Sequence, residues 1–234
     1  MKRIVSFVAL VLIVSAVIRA QSSANEPLKL ETIPNTHADD EKAYLDLLAK
    51  ALTDDPPSRG FLVAYRASDL PPGSLLRRVY GYRDYLVNTR GIEPTRVEII
   101  EGDVKDKNFT EMWLVPSGAK PPVADSQLNL VPHLPLKFDT SYPDCPSEAT
   151  LYLESLADSL RFYAHALLAN PNVSAKIVAF PGRRANIRKV ARIASRARAQ
   201  LIAQYHIDGE RITTVAQNRR RDCSQIELWL TQTR

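Results

Sequence analysis

The feature that most restricts what this chain can fold into is that it repeats itself, because a repeat must be one supersecondary unit that works twice. Its only two tryptophans stand in similar company, in "EMWLV" (Glu111 to Val115) and "IELWL" (Ile226 to Leu230). Far upstream of each lies a short alternating segment of strand type, "EPLKLETIP" from Glu26 and "LPLKFDTSYP" from Leu134. A helical stripe follows: Leu45, Leu48, Ala49 and Leu52 in the first copy, and Leu153, Leu156, Ala157 and Leu160 in the second, 108 positions on. Apolar runs of strand length come next, Leu62 to Tyr65 and Ile177 to Phe180, now 115 positions apart, which predicts a longer first helix in the second copy.

Second helices then carry the stripes Leu75, Val79, Tyr82, Leu86 and Ile187, Val190, Ala194, Ala197, Leu201, Tyr205. Ser74 after "LPPG" reads as an N-cap, and Gly91 as a C-terminal stop. Ile92 aligns with Ile207 and Arg96 with Arg211, and two strands close each copy. The unit is β-α-β-α-β-β, so the expected class is α+β: two tandem modules, each a helix layer on a mixed sheet. The modules span 25–117 and 134–234, with a linker over 118–133; the Pro-containing "SGAKPPVADSQ" runs from Ser117, at the end of the first module, into it. A tryptophan in the last strand of each unit reads as a core or sheet-face residue.

Lys2 and Arg3 precede the apolar run "IVSFVALVLIVSAVI", which ends at Arg19 and Ala20. The run is about 15 residues, short of the ~20 needed to span a bilayer, and has the layout of a secretory signal over 1–20. Cleavage is expected after Ala20 or Ala24, giving a periplasmic or secreted protein, held at a membrane only if the segment is retained. In such a compartment Cys145 and Cys223, the two cysteines of the chain, are expected to pair.

The order of elements, and "RDYLVNTRGIEPTRVEII" and "SRARAQLIAQYHIDGERITTV" in particular, resembles the OmpA-like C-terminal domain, a periplasmic module that binds peptidoglycan. The resemblance implies a site made by an Asp after the second strand and an Arg on the second helix, gripping the amine and carboxylate of a stem peptide. A carboxylate suits the ammonium, and a guanidinium suits the carboxylate. Arg198 stands where the resemblance puts the Arg, with Arg78 or Arg83 in the first copy. The Asp is missing: Gly182 takes its place, followed by Arg183 and Arg184, while the first copy has Ala67 there and Asp69 nearby.

The most distinctive chemistry is cationic. Arg184, Arg188, Arg192 and Arg196 recur every four residues, a stripe down one side of a helix where like charges repel and an anionic partner is favoured. Arg219 to Arg221 add a basic tip between the last two strands. Residues 21–133 hold 13 Lys and Arg against 17 Asp and Glu, whereas 134–234 hold 15 against 9. The basic half is thus expected to meet peptidoglycan, another anionic envelope component, another envelope protein or the acidic half itself. The alternative is a protein-protein scaffold with degenerate sites. Nucleic acid is argued against by export, and catalysis by the four histidines' lack of a partnered nucleophile; no cofactor or metal is expected.

Overall fold

A computed structural model describes residues 26–123, 134–145 and 155–233. The signal segment, most of the linker and Leu153 lie outside the described residues. In the first module β1 (Leu28–Pro34), α1 (Ala38–Asp54), β2 (Arg59–Ala67), α2 (Pro72–Asp84), β3 (Val97–Lys105) and β4 (Phe109–Val115) follow in order. The second repeats them as β5 (Leu136–Ser141), α3 (Leu156–Ala169), β6 (Val173–Phe180), α4 (Ile187–Tyr205), β7 (Ile212–Ala216) and β8 (Gln225–Gln232). The sheets are β1-β4-β2-β3 and β5-β8-β6-β7, each with one parallel pair and the rest antiparallel. The α+β class and the tandem of mixed four-stranded sheets are as the sequence predicts.

The repeat extends to irregularities that fold physics alone would not impose. Both first strands carry a bulge at the same place, at Leu30 and at Phe138. Arg96 donates to the carbonyls of Leu52, Asp55 and Ser58, closing the C-terminal turn of α1. Arg211 does the same for Leu167, Asn170 and Val173 at the end of α3. The Leu52 and Leu167 carbonyls lie in the last turns of their helices, where intrahelical donors run out, and the other four belong to the cap residues and the entries to the next strands. Gly91 at φ 71° and His206 at φ 56° make the same left-handed turn after the second helix. Each tryptophan lies on the sheet face opposite the helices, its indole donating to the glutamate two residues before: Trp113 to Glu111 at 3.1 Å and Trp229 to Glu227 at 2.9 Å.

The arginine contacts correct the helix alignment. Leu52, Asp55 and Ser58 stand over Leu167, Asn170 and Val173, so α1 pairs with α3 at 115 positions, not 108. Leu45, Leu48, Ala49 and Leu52 therefore correspond to Leu160, Tyr163, Ala164 and Leu167, all buried. The second copy does not have a longer first helix: α3 has 14 residues and α1 has 17. The seven extra residues fall between β5 and α3, in the segment that carries Cys145. Two other expectations shift. The second helix starts at Pro72 with Pro71 as cap, so Ser74 lies in its first turn and is not the N-cap. Ile187, expected in the buried stripe of α4, is 38% exposed.

Tyr163, in place of Leu48, sends its hydroxyl through the core to the sheet. It accepts the Lys176 N–H at 3.1 Å and donates to the Trp229 carbonyl, and burial pushes its pKa up. Conversely, the buried Arg78–Glu41 pair of the first module, also tied to Asn35 and Tyr82, corresponds to Ile193 and Leu156 in the second, both packed on its apolar cluster. One site is solved ionically and the other hydrophobically, two solutions of comparable stability when every charge is satisfied.

Candidate functional site

The helix α2 is shared by both halves. Leu75, Val79 and Tyr82 fill the first core, while Leu76 belongs to the second core and Tyr80 packs against both. Arg77 reaches across to Asp139 on β5 with two charge-assisted bonds, Nε to Oδ2 and Nη2 to Oδ1, both 2.9 Å. Ser74 donates to the same carboxylate at 3.1 Å, and Gly73 fits because a Cβ there would come within 2.7 Å of the Asp139 Cβ. The acidic and basic halves thus do pair, but through an arginine of the acidic half and an aspartate of the basic one.

Beside this junction is a cleft of about 530 Å³ lined by Tyr80, Glu101, Arg161, Phe162 and His165. Arg161 lies against the rings of Tyr80 and Phe162, and its Nε has no hydrogen-bond partner. Burial holds the Glu101 carboxyl above the ordinary range. Its protonated form is favoured by folding, so its contribution is complete below the unfolded pKa of ~4.3 and lost as pH rises. Glu101→Gln should therefore melt higher than wild type near pH 7 and alike near pH 4, as thermal unfolding at the two pH values will show.

Arg198, the residue the OmpA-like resemblance assigns to a ligand, is spent on the fold. Its Nε donates to the Ile212 carbonyl at 3.2 Å and its Nη2 to that of Gly209 at 2.8 Å, fastening α4 to the entry of β7. Arg83 makes the same two contacts, to Val97 and Pro94. The missing Asp has a steric reason as well. Gly182 donates its N–H to the Ser224 hydroxyl at 3.1 Å, and a Cβ there would come within 2.5 Å of the Ser224 nitrogen. Ser224 is itself held by Asp144, through its N–H at 2.7 Å and its hydroxyl at 2.6 Å. Burial pushes Asp144 up, but the Ser224 bonds and the charge of Lys189 outweigh it and leave the carboxyl below its usual range. Cys145, just after Asp144, and Cys223, just before Ser224, form the expected disulfide.

This network assembles the basic end of the second module. The loop 217–224 is laid along the end of β6 and the start of α4: Arg221 N–H to the Pro181 carbonyl at 2.9 Å, Arg183 N–H to the Asp222 carbonyl at 3.4 Å, and Arg220 Nη1 to the Arg183 carbonyl at 3.4 Å. Two basic segments separated in sequence become one surface, with Arg184, Arg188, Arg219 and Arg220 exposed. Arg183 pairs there with Asp222, and Arg221 lies over Phe180. Arg192 and Arg196 continue the surface along the exposed side of α4, and none of the four stripe arginines has an ion-pair partner among the described residues. Arg188, Arg192 and Arg196 stand on α4 as the four-residue spacing predicts, but Arg184 does not: the helix begins at Ile187 with Asn186 as its cap, and Arg184 lies in the turn before it. The junction with 219–221 and the pair Arg77–Asp139 were not legible in the sequence.

No known family model and no curated protein matches this chain. No helix among the described residues is long and apolar enough to cross a membrane, and none of their His, Cys, Asp or Glu form a cluster suited to a metal ion.

Proposed function

We propose that the chain is a non-enzymatic protein of the cell envelope that holds an anionic envelope component on the basic end of its second module. The observation that carries this reading is the meeting of 183–188 with 219–221, which presents several guanidinium groups on one exposed surface, backed by a disulfide on an adjoining residue. Guanidinium groups in such an array suit carboxylates and phosphates. Peptidoglycan is the component to which the OmpA-like resemblance points, and binding it here requires neither Arg198 nor the missing Asp. A signal-like start and a disulfide support a periplasmic or secreted location.

Co-sedimentation with purified peptidoglycan tests the reading. Wild type should pellet, and Arg184→Glu/Arg220→Glu should lose roughly tenfold in affinity while its melting stays that of wild type. Arg198→Ala should lower stability yet keep its binding where it remains folded. Equal binding by the charge-reversed pair, or none by wild type, would refute the assignment.

A further inference from the structure

Because the two modules share their geometry, the junction between them has a counterpart at each free end of the chain. The covering face is α2, with Gly73, Leu76, Arg77 and Tyr80. The helices align at 115 positions through Arg83 and Arg198, so the same face of α4 consists of Arg188, Ala191, Arg192 and Ser195, of which three are exposed and Ala191 half-buried. The covered face is β5 with α3. Asp139 corresponds to Glu31 beyond the shared bulge, and Phe162 to Leu47. Phe162 is 5% exposed under Tyr80, at a ring separation of 4.8 Å, whereas Leu47 is 54% exposed and Leu28 on the adjoining strand 57%. Both halves of the junction are thus repeated, and both repeats lie open.

We propose that the α4 face of one molecule docks on the β1–α1 face of a second copy, Arg192 meeting Glu31 as Arg77 meets Asp139 within the chain. The charges suit this: the docking face is cationic, and the receiving module carries 17 Asp and Glu against 13 Lys and Arg over 21–133. The apolar contribution also has a match, since docking would cover Leu47, which a monomer leaves in water. The contact is looser than its intrachain model. Arg188 takes the place of Gly73, which holds the helix further off, and Glu31, one methylene longer than Asp139, spans the added distance. Such a contact is head-to-tail, so it propagates from copy to copy instead of closing as a symmetric dimer. It draws on Arg188 and Arg192 of the basic surface and leaves out Arg219 and Arg220, which lie on the loop before β8.

Sedimentation velocity of the full chain at low ionic strength tests this, with peptidoglycan binding measured beside it. Wild type should gain mass steadily with concentration and return to monomer as salt is added. Leu47→Glu and Arg192→Glu each remove one end, both at exposed positions, so each should be monomeric with unchanged melting. Mixed, the two variants retain one intact pair of ends between them and should form a one-to-one complex that grows no further. A wild type that stays monomeric at low salt, variants that still assemble, or a mixture that stays monomeric would each overturn the proposal. Retained peptidoglycan binding in any of those cases would leave the function proposed above standing.

Discussion

Asp139→Ala is expected to destabilise the protein by about 3 to 5 kcal/mol, the largest effect of any single substitution considered. Its side chain is fully buried and receives Arg77, itself 14% exposed, together with the Ser74 hydroxyl and the Thr140 N–H. Removing the carboxylate leaves a guanidinium in a place built to hide it, between two cores. The loss therefore reflects an abandoned charge more than the worth of the pair. Arg77→Met/Asp139→Val, which removes both charges and stays close to the original volume, should recover most of it. Urea midpoints of the three proteins separate these effects, and a loss below ~1 kcal/mol for Asp139→Ala would mean that the junction is not fastened here.

Cys145→Ser/Cys223→Ser should cost about 4 kcal/mol, because the bond closes a loop with a sequence separation of 78 and restricts the unfolded chain accordingly. The effect reaches further than stability. Asp144 and Ser224, adjacent to the two cysteines, tie the loop 217–224 to Gly182 and hence to the start of α4. Freed of the bond, Arg219 and Arg220 lose their fixed place beside Arg184, so the reduced protein should bind anions less well even when folded. Denaturation with and without reductant measures the first effect. An unchanged midpoint would contradict it.

How much of this was legible in the sequence follows from what each residue interacts with. The sheets and the helix layer came from local periodicity, which both copies display, and the repeat put a tryptophan in the last strand of each unit without deciding between core and sheet face. The register of the first helix did not, for a simple reason. Offsets of 108 and 115 differ by seven residues, about two helical turns, and a shift of one heptad presents nearly the same apolar stripe. Only the long-range arginine contacts at the helix ends, Arg96 and Arg211, distinguish them. Arg77 and Asp139 each look like ordinary surface residues, 62 positions apart, until two modules are placed face to face. Arg198 shows the opposite limit. An arginine beside an apolar stripe wants an acceptor, and here two backbone carbonyls of its own module supply it.

Sequence divergence between the copies follows the same logic. Positions that fasten the fold are kept in kind: the pairs Arg83 and Arg198, Arg96 and Arg211, Trp113 and Trp229. Positions on the outer helix face differ: Gly73 and Gly81 of α2 become Arg188 and Arg196 of α4, and Leu76, which packs in the second core, becomes the smaller Ala191. In the first copy that face is covered by a neighbouring module; in the second it is presented as a cationic surface. The same fold thus supplies a covered joint in one copy and, in the other, an exposed cationic face that we propose meets an anion.

The most direct test of that claim is the salt dependence of binding to purified peptidoglycan, measured for wild type and for Arg184→Glu/Arg220→Glu. Wild-type affinity should fall steeply as salt rises, since exposed guanidinium groups act through screened charge. The variant should bind weakly and with little dependence on salt. Wild-type binding that is insensitive to salt, or a variant that matches it at every ionic strength, would contradict the account.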